Sequence, residues 1–331
     1  MAPPNSPTTQ TRGKLAPILL SFLAVSLGFY ITQLAIIARQ PCHNPSIHNL
    51  SEQKDVAARY DETADSFDSE VGTSEALMGI NRLRKRLSRA CKGHVLEVSC
   101  GTGRNLGYYD LSPASSEIDS ITFLDLSPQM IAACKRKWTS LYPSSSTAPS
   151  TFKPGLAVRF STTSAAGPMP PAPTSSPNNN PNGKYTTILQ TMGLCSTPDP
   201  HALLLNLSAH LDHSNPDARI LLLEHGRSSH AWLNNILDNS AAKHAEVHGC
   251  WYNRDIGGLV EAAARESGLE VVEVGRRHLG TTWVFELRPS ARAEDDGEKV
   301  VGGGSEGVVD GAVSASGAAG AAGWRGWFGL K

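Results

Sequence analysis

Two glycines one residue apart, Gly101 and Gly103, lie in the run VLEVSCGTGRNLGYY over residues 95–109, directly after a short apolar stretch. A strand that ends in such a loop lets the backbone turn sharply and approach a ligand closely at its carboxyl end. The next apolar run leads into FLDLSPQM and ends at Asp125, placed to accept hydrogen bonds from two ribose hydroxyls. A glycine loop followed by an acid at this separation points to a nucleoside-containing ligand without choosing among them. A phosphate-cradling loop needs G-x-x-x-x-G-K-[ST], a string the chain lacks. A dinucleotide loop needs a third glycine, which lets its helix pack close and aim its N-terminus at the pyrophosphate. Leu106 stands at that place, and Gly107 comes one residue late. A tight turn without a ligand is the plain alternative.

The elements that must position these residues alternate between strand and helix. Residues 94–98 (HVLEV) and 121–124 (ITFL) are short apolar runs of the kind buried parallel strands show, and 185–189 and 219–223 (RILLL) continue the series. Ser127 caps a helix over 127–141 with Pro128 at its first position, and a second helix covers 201–211. Helices over 51–67 and 74–91 precede the first strand. Two β-rich runs, 269–274 and 282–287, close the series and point to an antiparallel strand at one edge. No internal repeat is visible. The alternation predicts an α/β fold, a doubly wound, mostly parallel sheet covered by helices on both faces.

The pattern Glu97-x-x-x-Gly101-x-Gly103 resembles motif I of the class I S-adenosylmethionine-dependent methyltransferases, whose loop holds the methionine portion of the donor and has no pyrophosphate to neutralise. The likeness runs from about residue 59 to 289, leaving out a central low-complexity insert. YDETADSFD, ALMGINRLRKRL, the glycine loop, FLDLSPQM, LQTMGLCSTPDP, LLLEHGR, ILDN and HLGTTWVFEL occur in one order. Together they resemble the fungal membrane-anchored mitochondrial methyltransferase-like proteins related to ubiquinone/menaquinone C-methyltransferases. They are similar, more distantly, to animal membrane-associated methyltransferase-like proteins that methylate small alkyl thiols. The resemblance implies a seven-stranded, Rossmann-like methyltransferase fold with S-adenosyl-L-methionine as cofactor. It assigns Glu97, Gly101 and Gly103 to the methionine side, Asp125 to the ribose, and Leu126 and Met130 to the flanks of the adenine. The stretch from Gln190 to Gly193, after the fourth strand, would line the donor pocket.

Three positions depart from that pattern. Ser99 stands where many such enzymes have a first glycine, a substitution that costs energy if φ there is positive. Thr186 replaces an aspartate that opens the fourth strand in relatives. After the third strand, residues 161–164 read STTS, with no carboxylate to accept the adenine amino group. A serine hydroxyl would serve there at about 1 kcal/mol less than a charged acceptor.

Methyl transfer from a sulfonium is an in-line displacement, so the protein has to align and desolvate the acceptor and, for some acceptors, take its proton. His225, directly after the fifth strand, sits at the carboxyl edge where such sheets bind substrate, and its family match gives it an acceptor-side or general-base role. A histidine that packs the loop is the alternative. Asp238, Asn239 and His278 also fall in matched blocks, and Cys195 reads as a small buried hydrophobe. His244, His248 and Cys250 invite a zinc reading, since histidines four apart share a helix face, but no fourth ligand is evident and no metal is expected. The basic run Arg82, Arg84, Lys85, Arg86 and Arg89 reads as the solvated face of an amphipathic helix.

The 331 residues are 40% hydrophobic and 18% charged with a net charge of −1, enough for one sizeable core and no general basic field. A nucleic-acid partner is therefore not expected, although a local phosphate-binding patch stays open, as does the oligomeric state. Six cysteines without a C-x-x-C pair or regular spacing suit scattered reduced thiols. After a short start over 1–14, residues 15–38 carry no charge and, at about 1.5 Å per residue, span a hydrocarbon core of roughly 30 Å. They read as a single membrane anchor. Arg12 and Lys14 before it and Arg39 after it weakly favour keeping the N-terminus on the positive-inside face. The methyltransferase domain would cover 51–289, with a disordered insert around 143–183 in which the apolar patch 156–160 suits a short strand, and a disordered Gly/Ala-rich tail over 290–331 follows. The tail's Trp324, Trp327 and Phe328 suit either a membrane or partner contact or an idle end. The expected function is methylation of a small or lipophilic acceptor met at the bilayer surface, and the resemblance implies the mitochondrial inner membrane. A non-catalytic assembly or RNA-associated factor that kept the fold is the second reading. An oxidoreductase using a dinucleotide is the third.

Overall fold

The computed structural model describes residues 12–143, 152–173 and 180–290. Seven strands form one sheet: β1 (Gly93–Val98), β2 (Ile118–Asp125), β3 (Ala157–Thr162), β4 (Thr187–Thr191), β5 (Arg219–His225), β6 (Leu269–Arg277) and β7 (Thr282–Pro289). Their order is β3-β2-β1-β4-β5-β7-β6, and β7 runs antiparallel to both of its neighbours. The chain steps outward from β1 to β3 and returns to β4 on the other side of β1. The crevice beyond the carboxyl ends of β1 and β4 is therefore the topological switch point, where ligands bind in open α/β sheets.

The apolar runs are buried on both faces because helices cover both. On one face Leu96, Ile188, Ile220, Leu222 and Phe285 pack against α6 (Pro200–His210) and α8 (Ile256–Glu266). On the other, Val95, Phe123, Leu189, Leu221 and Leu223 pack with Ile80 and Leu87 of α4 (Ile80–Arg89) and Ile131 of α5 (Pro128–Leu141). The RILLL run thus splits its leucines between two layers, as the two-residue period of a strand requires.

Local chemistry explains where helices differ from expectation. The first expected helix shortens to α2 (Ala58–Thr63), since Asp55 Oδ1 accepts the Ala57 N–H at 2.9 Å and holds the preceding chain in a turn. The second is two helices, α3 (Phe67–Leu77) and α4, separated by Gly79 at φ +69°. Helices α7 (Ala231–His248) and α8 went unassigned from sequence; α7 ends at Gly249 in the left-handed region, and α8 is capped by Asp255 accepting the Gly258 N–H.

Within the insert, the apolar patch over 156–160 falls in β3 from Ala157 on, as its sequence suits, and Phe160 stacks on Phe123 with ring centroids 5.2 Å apart. Met169 and Ala172 of the insert's proline-rich part are buried in the core, and the Tyr185 hydroxyl donates to the Pro170 carbonyl at 2.8 Å. Few ladder bonds are needed when apolar side chains and a carbonyl find seats in this way. The tail over 291–331 and residues 144–151 and 174–179 lie outside the described residues.

Helix α1 (Arg12–Arg39) includes Ala16–Arg39, long and apolar enough to cross a membrane and unburied in that stretch. In its last turn and just beyond it meets α7, where Asn235 and Asn239 donate to the carbonyls of Ala38 and Gln40 at 2.9 and 3.0 Å.

Candidate functional site

Beyond the carboxyl ends of β1, β2, β4 and β5 lies a cavity of about 790 Å³. The glycine loop forms one wall. Gly101 has φ +54° with open space where a side chain would stand, and its N–H donates to Asp125 Oδ2 at 2.8 Å. Asp125 Oδ1 accepts the Ser127 N–H at 2.9 Å, so one carboxylate ties the loop to the start of α5. Burial pushes the Asp125 carboxyl above its ordinary value while these backbone N–H groups pull it down. Ser127 caps α5 by accepting the Met130 N–H at 3.0 Å and donates its own proton to Asp61. Leu126 and Met130 line the adjoining wall.

Three of the expected cofactor residues stand behind the wall instead of on it. Gly103 has φ +79°, and a Cβ there would lie 2.6 Å from Leu106 Cδ1, so it serves close packing. Glu97 is fully buried, accepting from the Tyr109 hydroxyl at 2.5 Å and from Asn105 Nδ2 at 3.0 Å. Burial raises its pKa to about 7 despite those donors. Gln190 backs Gly193, where a Cβ would collide with Gln190 Nε2. Its own Oε1 is buried without a protein hydrogen-bond partner. Gly193 itself lines the cavity.

The departures sort by position. Ser99 does adopt φ +52°, the strained region its residue type disfavours. Thr186 lies at the amino end of the sheet against Gly93, away from the cavity. Of the STTS run, the Ser161 and Thr163 hydroxyls pair at 2.8 Å while Ser164 reaches the cavity wall.

The basic run is only partly a solvated face. Arg84 is buried, bidentate to Glu75 at 3.0 and 2.9 Å and bonded to Thr191 Oγ1 at 2.7 Å, and both ends of this network line the cavity. Arg104 adds a second clamp on Glu75 at 2.9 Å and on Asp68 at 3.2 Å. Sequence reading missed this wall, as it missed Tyr60, whose hydroxyl bonds Ser196 Oγ at 2.6 Å. Only the matched blocks around residues 60–85 hinted at it, because the partners are far apart in the chain.

On the far side stand His225, His244, His248, Cys195 and Cys250. Burial, with His248 and His225 nearby, lowers the His244 pKa to about 4. Its ring stacks on Tyr252 with centroids 4.0 Å apart. The other residues from matched blocks hold the frame. Asp238 pairs with Arg227 at 2.7 Å, Asn239 holds the chain after α1, and His278 bonds the Met78 carbonyl at 2.8 Å.

A family model for a methyltransferase domain matches residues 74–274. The mitochondrial methyltransferase OMS1 of Saccharomyces cerevisiae is 38% identical over 240 residues, covering 71% of this chain and 47% of that protein. The chain thus spans about half the length of the curated relative it matches. Similar solved structures include the magnesium protoporphyrin IX methyltransferase of Synechocystis PCC 6803, at 12% identity over 72% of this chain and 98% of that one, with a TM-score of 0.42. An S-adenosylmethionine-dependent methyltransferase from Clostridium acetobutylicum is 10% identical over 70% of this chain and 100% of that one, with a TM-score of 0.43.

Proposed function

Because the chain belongs to the class I S-adenosylmethionine-dependent methyltransferases, we propose that its cavity holds S-adenosylmethionine for methyl transfer to a small or lipophilic acceptor entering from the His225 side. The carrying observation is Asp125, a buried carboxylate on the cavity wall bonded to both the glycine loop and the α5 cap. These residues fit the group. Open space beside Gly101 suits the methionine portion, Asp125 suits a ribose diol, and Leu126 and Met130 flank a flat ring that Ser164 reaches. When bound, the cofactor supplies a methyl carbon already activated on a sulfonium. The chain's own residues then orient the partners and exclude water, and His225 meets the acceptor's nucleophilic atom.

We further propose that α1 anchors the domain as a single span in the mitochondrial inner membrane. The unburied apolar helix and the mitochondrial relative support this reading.

Calorimetric titration of S-adenosylmethionine into the detergent-solubilised full chain tests the donor site. Micromolar binding that Asp125→Ala weakens tenfold or more, about 1.4 kcal/mol, is expected. A folded protein that does not bind the donor would sink the reading.

A further inference from the structure

Cys195, His225 and Cys250 arrive at one point from three places in the fold. Cys195 lies in the loop after β4, His225 ends β5, and Cys250 follows the left-handed Gly249 that ends α7. One donor atom from each, Sγ, a ring nitrogen and Sγ, lies within 4.8 Å of the other two. Cys250 Sγ stands 3.7 Å from His225 Nδ1. Both cysteines are buried, and all three side chains line the cavity that holds Asp125. The zinc reading weighed from sequence grouped Cys250 with His244 and His248; the fold groups it with Cys195 and His225 instead.

The backbone around the cluster is held from several sides. The Glu224 carboxylate accepts the N–H groups of Gly193 and Leu194 at 3.1 and 3.0 Å. Arg254 donates to the carbonyls of Leu194 and Thr197, each at 2.6 Å. The Trp251 N–H donates to the Cys195 carbonyl at 2.9 Å, which ties the two cysteine segments together. Such buttressing orients side chains for metal binding before the ion arrives.

We propose that Cys195, His225 and Cys250 form a zinc site with three protein ligands and a fourth position open to the cavity. The donor set is the argument for the metal: thiolates and imidazole select zinc, whereas magnesium and calcium take oxygen ligands. Zinc–sulfur bonds of about 2.3 Å and zinc–nitrogen bonds of about 2.0–2.1 Å place tetrahedral ligands roughly 3.5–3.8 Å apart. The cluster meets that spacing at Cys250 and His225 and reaches it elsewhere by a contraction of about 1.3 Å at most. Two thiolates and a neutral imidazole balance the ion's charge, which suits a site this buried. Three ligands with an open position are the arrangement of catalytic zinc, and a structural site would be closed. With zinc bound, His225 acts as a ligand, and the ion in place of the free imidazole would hold the acceptor by its nucleophilic atom on the side of the cavity facing the donor. That last placement rests on the donor-site reading above; the metal site does not.

The full chain, purified in detergent under reducing conditions, tests the site by zinc content and by cobalt(II) titration after chelator stripping. One zinc per chain is expected, and cobalt should give thiolate charge-transfer bands together with tetrahedral d–d bands. Cys195→Ser and Cys250→Ser should each lower cobalt affinity at least tenfold, while Cys91→Ser, buried in the α4 layer, should leave it unchanged. Zinc should also slow alkylation of Cys195 and Cys250 in the unaltered protein, a readout that needs no variant. Zinc content retained in both serine variants, alkylation indifferent to zinc, or a Cys195–Cys250 disulfide in the reduced preparation overturns the site. Donor titration on the same samples separates the two readings. Zinc without donor binding removes the donor site and keeps the metal, and donor binding without zinc removes the metal site alone.

Discussion

Ser99 and Gly103 flank the same loop and carry opposite costs. Ser99 holds φ +52°, where a side chain costs about 1 kcal/mol relative to glycine. Ser99→Gly should therefore raise stability against urea by about that amount. Gly103→Ala should lower it by about 2 kcal/mol or more, through a left-handed φ and a methyl placed 2.6 Å from Leu106 Cδ1. Equal stability of that variant and the unaltered protein would refute the close-packing role. Glu97 adds a pH dependence. Its folded pKa of about 7 lies above the ordinary 4.5, so the unfolded chain loses its proton first. The stabilisation is full below about pH 4.5 and is lost as pH rises to about 7, on the order of 3 kcal/mol. Urea unfolding of Glu97→Gln should show a correspondingly flatter profile over that range, and a slope equal to that of the unaltered protein would count against burial of the protonated acid. The glycine loop and Asp125 were legible because their chemistry is local. The displacement of Glu97 and Gln190 from the wall was not, since it depends on which atoms of Asn105, Tyr109 and Ser99 come between.

At the scale of elements, α1 and α7 decide how the domain would sit at a bilayer. The apolar stretch of α1 is unburied, and α7 receives the end of α1 while lending His244 and His248 to the cavity. A tethered domain would thus bring one cavity wall close to the membrane surface. An arginine at mid-span costs about 2.5–3.5 kcal/mol in insertion, so Leu23→Arg should move a measurable share of the chain into the carbonate-extractable fraction. Extraction unchanged by Leu23→Arg and by a second charge at Val25 would argue against a spanning helix. The apolar period of 15–38 announced this element, whereas α7 stayed hidden because AWLNNILDNSAAKHAEVH has only a weak apolar stripe. It is held by the chain after α1 and by the Trp251 segment as much as by the core.

For the whole molecule, the cavity is the joint product of α2, α3, α7 and four strand ends, so a ligand that fills it should stabilise all of them together. Donor at a hundredfold excess over its dissociation constant adds about 2.7 kcal/mol, a rise in melting midpoint of roughly 5–10 °C for a domain of this size. Differential scanning fluorimetry with S-adenosylmethionine should show that shift in the unaltered protein and a much smaller one in Asp125→Ala. Equal shifts in both would place binding elsewhere.

The α/β architecture, the glycine loop, the acid at the end of β2 and the apolar span over 15–38 were determined by the sequence, because each depends on residues within a few turns or one strand of each other. Tertiary structure decided the rest. Arg84 was buried with its guanidinium on Thr191 Oγ1, part of the proline-rich stretch entered the core, and Cys195 and Cys250 met beside His225. Those pairings join residues across the sheet's crossovers, and no local propensity or spacing encodes which segments the fold brings face to face.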